Sequence, residues 1–277
     1  MVDLKDKYNT PWRKMSTAIY APPNEGKVYG SVDVDVTDAV KFIEKQREEG
    51  KYITLTHIAT AALGRALKHD VPEINAFIRR GKLVPRDDVV VTVAVNMGEG
   101  GEMGSVRIRE AHRKTVFEIA GEIIEKAKAA RSGTENKAMR NKYIFSKIPW
   151  PFRRWLFRFL KWLTNELGFQ LKSLGLTHNA FGSILLSNIG SHGLSIGMGA
   201  LFPASKLPAA VFMGYAEEKP VVRNGEIVIR TIMPVAVTID HRMMDGYHGG
   251  KLASSGKRYI ENPELLANPP KEETETG

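Results

Sequence analysis

The sequence has no cysteine, and that one absence removes disulfides, thiolate metal ligands and a cysteine nucleophile. Any thiol that reacts must therefore belong to a substrate, and the composition fits a reducing, cytoplasmic setting. No apolar run in the 277 residues is long enough to cross a bilayer, and Met1-Val2-Asp3-Leu4-Lys5-Asp6-Lys7 lacks the apolar core of a signal peptide. Of the seven histidines, His69, His112, His178 and His192 have no spacing that suggests a metal site; His57, at a helix start, reads as structural. No internal repeat and no long linker divides the chain.

What is present is an ordinary globular composition, 43% hydrophobic and 26% charged, sufficient for one large core. The net charge of +9 suits anionic ligands without choosing among them. Residues 8–27, with Pro11, Pro22, Pro23 and Trp12-Arg13-Lys14, read as an extended arm. Val28 to Val36 alternates at period two, as a strand with one covered face does. Helices are expected from Thr37 or Asp38 to about Glu49, from Thr56 to His69, and from Thr115 to Arg131. Between them lie a turn at Pro72 to Ala76, a hairpin from Phe77 to Val84 about Gly81, and a central strand from Val89 to Val95.

Gly98, Gly100, Gly101 and Gly104 crowd the following loop, but their spacing fails the dinucleotide fingerprint. Strands are expected over Ser183 to Asn188, Ala209 to Gly214 and Glu226 to Ile239, with a hairpin turning on Asn224-Gly225. A closing helix from about Asp245 to Asn262 and a short Pro263 to Ala267 segment precede an acidic tail. Strands and helices alternate in the first half and strands dominate the second, so one α/β domain with a mixed sheet over residues 1–268 is expected, then a disordered tail at 269–277.

One stretch differs from the rest. From Lys137 to Lys161 eight basic residues run without an acidic one, interleaved with Trp150, Phe152, Trp155, Phe157 and Phe159 and followed by Trp162. In a helix starting after Pro151, Arg154, Arg158, Lys161 and Asn165 fall on one face and Phe152, Trp155, Leu156, Phe159, Leu160 and Leu163 on the other. Such a segment packs against its own domain or a neighbouring subunit, or lies on an anionic membrane surface through Lys147–Lys161; nucleic acid is the weakest of the three readings.

The strongest chemical signal is Asp240-His241-Arg242-Met243-Met244-Asp245-Gly246. A β-branched run delivers His241 to a strand end, where chemistry is commonly placed. The carboxylate four residues on and the glycine turn are expected to fix one imidazole tautomer, and His248 reads as supporting or surface. A rival, Gly193-Leu194-Ser195-Ile196-Gly197, has the letters of a hydrolase nucleophile elbow. Gly199, Pro203 and Pro208 argue against the helix that an elbow requires.

Taken together, these segments resemble the catalytic domain of the acyltransferase component of 2-oxoacid dehydrogenase complexes. The likeness runs in order through Val32-Asp33-Val34-Asp35-Val36, Pro72 to Ala76, His112 to Thr115 with Glu118-Ile119-Ala120, Leu186 to Gly190, Leu207 to Val211, Glu218 to Val222, and Asp240-His241-Arg242 with Asp245-Gly246. The resemblance implies a chloramphenicol acetyltransferase-like two-layer sandwich, with a mixed sheet flanked by helices. It implies that His241 is a general base toward the thiol of coenzyme A or dihydrolipoamide, that Ser187 donates to the oxyanion of a tetrahedral intermediate, and that Asp245 organises the site without being the base. Arg13 resembles the arginine that pairs with that carboxylate, and Gly246 supports the turn.

The resemblance further implies an acyl coenzyme A substrate, no metal, and a homotrimer or larger assembly whose sites lie between subunits, His from one and Ser from the next. Glu102 to Arg107 departs from the stretch that lines the family's substrate channel, and the insertion at about 134–180 has no counterpart in it. No lipoyl domain is expected in cis. The expected activity is acyl transfer between a coenzyme A thioester and a thiol or other acceptor; the alternative is a non-catalytic trimeric scaffold or a membrane-docking homologue.

Overall fold

The structure is a computed structural model, and it describes residues 26–96, 103–131, 149, 152–169, 181–201 and 205–270. Its strands are β1 (Lys27–Asp35), β2 (Ala76–Arg79), β3 (Lys82–Pro85), β4 (Val91–Asn96), β5 (Met103–Ile108), β6 (Ile184–Asn188), β7 (Ala209–Met213), β8 (Glu217–Arg223) and β9 (Glu226–Asp240). The helices are α1 (Thr37–Glu48), α2 (Leu55–Arg65), α3 (Val116–Arg131), α4 (Phe152–Asn165) and α5 (Gly246–Glu261).

Seven strands form one mixed sheet in the order β1-β9-β7-β6-β4-β5, with β8 also on β9. Strands β4, β6 and β7 run parallel, and the remaining pairs are antiparallel. The organising strand is β9, fifteen residues long and rich in β-branched side chains that suit a pleated, half-buried surface. Its alternation separates two layers. Met233, Val235, Val237 and Ile239 face the main core with α1, α2, α3 and α5, whereas Ala236 joins Ala210, Phe212, Leu201 and Leu207 on the opposite face.

That second face is covered by the chain between β6 and β7. Thr238 Oγ1 donates to the Gly199 carbonyl at 2.8 Å, and a Cβ at Gly214 would lie 1.8 Å from the Ser195 carbonyl oxygen, so only glycine permits this approach. At the far end of β9, Asn224 and Gly225 both have positive φ (+53° and +85°), the geometry of the type I′ turn expected there. The β8–β9 hairpin is tied back to β1 by Asp35, whose carboxylate receives Arg230 at 2.8 Å and Arg223 at 3.2 Å.

The hairpin expected over Phe77 to Val84 is present as a separate two-stranded sheet, β2–β3. Two expectations are corrected. The second helix is α-helical only over Leu55–Arg65 and widens into a π-helical turn over Ala66–Asp70. The glycine-rich loop closes on a strand, β5, which pairs antiparallel with β4 and sets Gly104 opposite Val95; Gly98, Gly100 and Gly101 lie outside the described residues. Helix α3 starts where expected, because Thr115 and Glu118 form a reciprocal capping box.

Candidate active site

His241 is the first residue past β9. Its backbone N–H donates to the Gly26 carbonyl at 2.7 Å, and its Nδ1 lies 2.8 Å from the Met244 carbonyl oxygen. A carbonyl can only accept, so Nδ1 carries a proton, and in the neutral ring the lone pair is on Nε2. The turn that brings Met244 back is itself braced, since the amides of Met243 and Met244 both donate to the Asp240 carbonyl. Asp240, 3% exposed, is held in turn by Arg242, with Nε to Oδ1 at 2.9 Å and Nη2 to Oδ2 at 2.6 Å. The tautomer is thus set by a backbone carbonyl one residue before the carboxylate expected to set it.

Asp245 is the N-cap of α5. Its Oδ1 accepts from the His248 amide at 3.2 Å and from His248 Nδ1 at 2.5 Å, so the two side chains form a half-buried pair at the helix start. Gly246 opens that helix. Arg13 lies outside the described residues.

Ser187 stands near the end of β6, opposite Phe212, which in turn lies opposite Ala236. It shares the face of Ala210, Phe212 and Ala236, while Ile184 and Leu186 point to the helices. The next residue, Asn188, donates from Nδ2 to Thr56 Oγ1 at 3.0 Å and accepts from the Ser191 amide, which ties the strand end to α2. Ser187 and His241 are not brought together within one chain. The register sets Ser187 level with Ala236, five residues before His241 on a strand two places away, so they are about 16 Å apart along the strands and about 10 Å across.

Ser195 sits in the covering segment, after a 3-10 turn and Gly193 at φ +80°, and residues 197–201 form no helix. The elbow reading is therefore excluded. His57 is buried at the start of α2, and desolvation pulls its imidazole down to about 4. His112 is likewise lowered, by burial first and then by Lys68 and Arg113. Among the described residues no group of acidic and histidine side chains is arranged to hold a metal ion. An apolar cavity of about 260 Å³ lies between α5, α2 and the sheet, lined by Val28, Val237, Ile239, Gly249, Ala253 and Gly256 among others; Ser187 and His241 are not in its wall.

The sequence singled out Ser187, His241 and Asp245 as candidates; it did not show the Met244 carbonyl on His241, the Asn188–Thr56 bond or the Asp245–His248 pair. The Met244 contact leaves no side-chain signal, because the group that acts is a peptide carbonyl. The short spacing of Asp245 and His248 across a helix start was visible, but it has meaning only once Asp245 is known to be the cap.

A mixed sheet with helices on one face and a histidine just past its longest strand defines the chloramphenicol acetyltransferase-like class. The chain superposes on chloramphenicol acetyltransferase with a TM-score of 0.51 at 16% identity, covering 94% of this chain and 98% of that one. A probable dihydrolipoamide acetyltransferase from Listeria monocytogenes 4b F2365 gives a TM-score of 0.64 at 20% identity over 90% and 88% of the two chains.

The family model for the 2-oxoacid dehydrogenases acyltransferase (catalytic domain) matches residues 13–142 and 170–268, and the chain belongs to that family. The dihydrolipoyllysine-residue acetyltransferase component of the pyruvate dehydrogenase complex of Staphylococcus epidermidis (strain ATCC 35984) is 29% identical over 231 residues. That alignment takes in 82% of this chain and 42% of the relative, so the chain spans less than half the length of the curated relatives it matches. The unmatched stretch, 143–169, lies inside the insertion expected at 134–180 and contains α4.

Proposed function

We propose that this chain catalyses acyl transfer between a coenzyme A thioester and a thiol acceptor, with His241 as general base and Ser187 as oxyanion donor. The observation that carries this reading is the Nδ1–H bond from His241 to the Met244 carbonyl, which commits Nε2 to accepting a proton. A free thiol of pKa about 8.5 is only a few per cent thiolate at neutral pH, so a neutral imidazole beside it raises the nucleophile concentration when needed. The acceptor thiol loses its proton to Nε2, and its sulfur bonds to the thioester carbonyl carbon. The tetrahedral oxyanion takes a hydrogen bond from the Ser187 hydroxyl. Collapse breaks the carbon–sulfur bond to coenzyme A, whose thiolate recovers the proton from Nε2. No covalent acyl-enzyme is formed. Asp245, by capping α5 and holding His248, keeps the turn after His241 in place.

The same reading assigns the assembly. Since the register keeps Ser187 and His241 far apart in one chain, each site takes the histidine of one subunit and the serine of the next, in a homotrimer or a higher assembly built from it. The β8–β9 hairpin supports this, because Val222, Ile227 and Ile229 are 65%, 78% and 71% exposed and lie on one face of an antiparallel pair. The lack of cysteine fits a cytoplasmic enzyme that meets its thiols as substrates.

The test is release of coenzyme A thiol from a panel of acyl thioesters in the presence of dithiol acceptors. His241→Ala is expected to lower kcat by about 10²- to 10⁴-fold. Equal rates in wild type and variant would remove His241 as the base, and no turnover by the wild type on any thioester would favour the scaffold alternative.

A further inference from the structure

The acyltransfer reading leaves α4 without a role, and this helix falls in the stretch that the family model does not match. It is held at its C-terminal end by the β2–β3 turn. Arg79 Nη2 donates to the Leu167 carbonyl at 3.2 Å, and Arg80 donates from Nε to the Glu166 carbonyl at 3.1 Å and from its amide to the Glu166 carboxylate at 3.3 Å. These bonds tie the chain just past the helix to the β2–β3 turn.

The apolar face expected from the sequence is divided in two. Thr164 is buried and Leu156, Leu160 and Leu163 are half-buried, which identifies the covered flank. Phe152, Trp155, Phe159 and Trp162 form the adjacent flank at 67%, 70%, 43% and 50% exposure. Trp155 and Phe159 stack with centroids 5.9 Å apart, and Trp162 tilts against Phe159 at 6.2 Å. At 3.6 residues per turn, positions 154, 158 and 161 fall along the other border of this aromatic stripe, and all three are basic. No acidic residue occurs from Asn136 to Asn165, a span with eight lysines and arginines.

Magnitudes choose the occupant. At roughly 200 Å² per aromatic side chain and an average of a little more than half exposed, the stripe offers roughly 500 Å². A stable protein interface takes about 800 Å² from each partner, so a second copy docked here alone would be held weakly. Tryptophan and phenylalanine bordered by cations match the boundary between acyl chains and anionic headgroups. Fourteen residues of helix span about 21 Å, short of a hydrocarbon core of about 30 Å, and no helix among the described residues is long and apolar enough to cross a membrane. The geometry would have α4 lie on a bilayer and not traverse it.

We propose that α4 docks this protein on anionic lipid bilayers, with Phe152, Trp155, Phe159 and Trp162 entering the headgroup boundary and the basic border meeting the lipid phosphates. This does not depend on the acyltransfer reading. The test is co-sedimentation of the full chain with phosphatidylcholine vesicles, with and without phosphatidylglycerol, at low and high salt. Binding to the anionic vesicles, its loss in high salt and a blue shift of tryptophan emission are expected, since Trp150, Trp155 and Trp162 lie in the insertion. Trp155→Ser with Trp162→Ser is expected to weaken partitioning at least tenfold without changing the melting temperature or the rate of coenzyme A release. Absence of binding to anionic vesicles at low salt, or undiminished binding by the double variant, overturns the proposal. So does a fall in oligomeric mass of the double variant in analytical ultracentrifugation, which would give the rings to a subunit contact.

Discussion

At His241 the choice of tautomer is made by the main chain. An acceptor 2.8 Å from Nδ1 keeps that nitrogen protonated, and the acceptor is a carbonyl that no substitution of Met244 removes. The buried His57 shows the reverse. His57 is 5% exposed and its Nδ1 has no hydrogen-bond partner, so it is held neutral to about pH 4. Its folded value is depressed below the ordinary 6.5. Between those limits the unfolded chain takes up a proton that the folded chain refuses, and stability falls as pH falls through this window, by on the order of 3 kcal/mol once the lower limit is passed. Urea midpoints at about pH 7.5 and about pH 4.5 should therefore differ less in His57→Gln than in wild type. An equal drop in both would remove His57 as a source of acid lability.

Among single residues, the candidates that present side chains at strand ends and helix caps were legible in the sequence: Ser187 and His241 from their flanking signatures, Asp245 from the turn that follows. Met244, which acts through its backbone, and Asn188, which bonds to Thr56 across the fold, depend on contacts that no local pattern encodes.

At the scale of elements, periodicity located β1, β4, β6, β7, β9, α1, α3 and α5 because each buries one regular face. It failed at β5, where Gly104 and neighbouring glycines suggested a loop, although pairing with β4 supplies the strand. It also failed to divide the apolar face of α4, since hydrophobicity alone does not say which apolar side chains meet the body and which meet solvent.

Helix α5 shows a related looseness. Gly256 lies in mid-helix with nothing within 4 Å of where a Cβ would stand, and it borders the 260 Å³ cavity. Replacing it with alanine adds helix propensity and a methyl group where there is room. Gly256→Ala is expected to stabilise the fold by about 0.5–1 kcal/mol, read as a raised urea midpoint. A lowered midpoint would mean that the helix needs this glycine to pack closely against something in the assembled protein.

For the molecule as a whole, the sheet order decides what one chain can do. Strands β6 and β7 run parallel and β9 antiparallel to them, so the ends of β6 and β9 that carry Ser187 and His241 point in opposite directions. On the proposed reading a monomer holds two half-sites, and the bare face of the β8–β9 hairpin offers a neighbour a surface. The fold class and the family were readable from the ordered series of motifs. The separation of the two candidates within one chain was implied only by that resemblance, because the strand direction and register that produce it depend on the whole sheet.

The central claim is that His241 of one subunit works with Ser187 of the next. It is tested most directly by co-expressing Ser187→Ala and His241→Ala chains and measuring coenzyme A release by the mixed assemblies. Each variant alone is expected to be nearly inactive, whereas random mixing in a closed ring restores up to about one quarter of the sites. Activity of the mixture no higher than the mean of the two single variants would contradict the account.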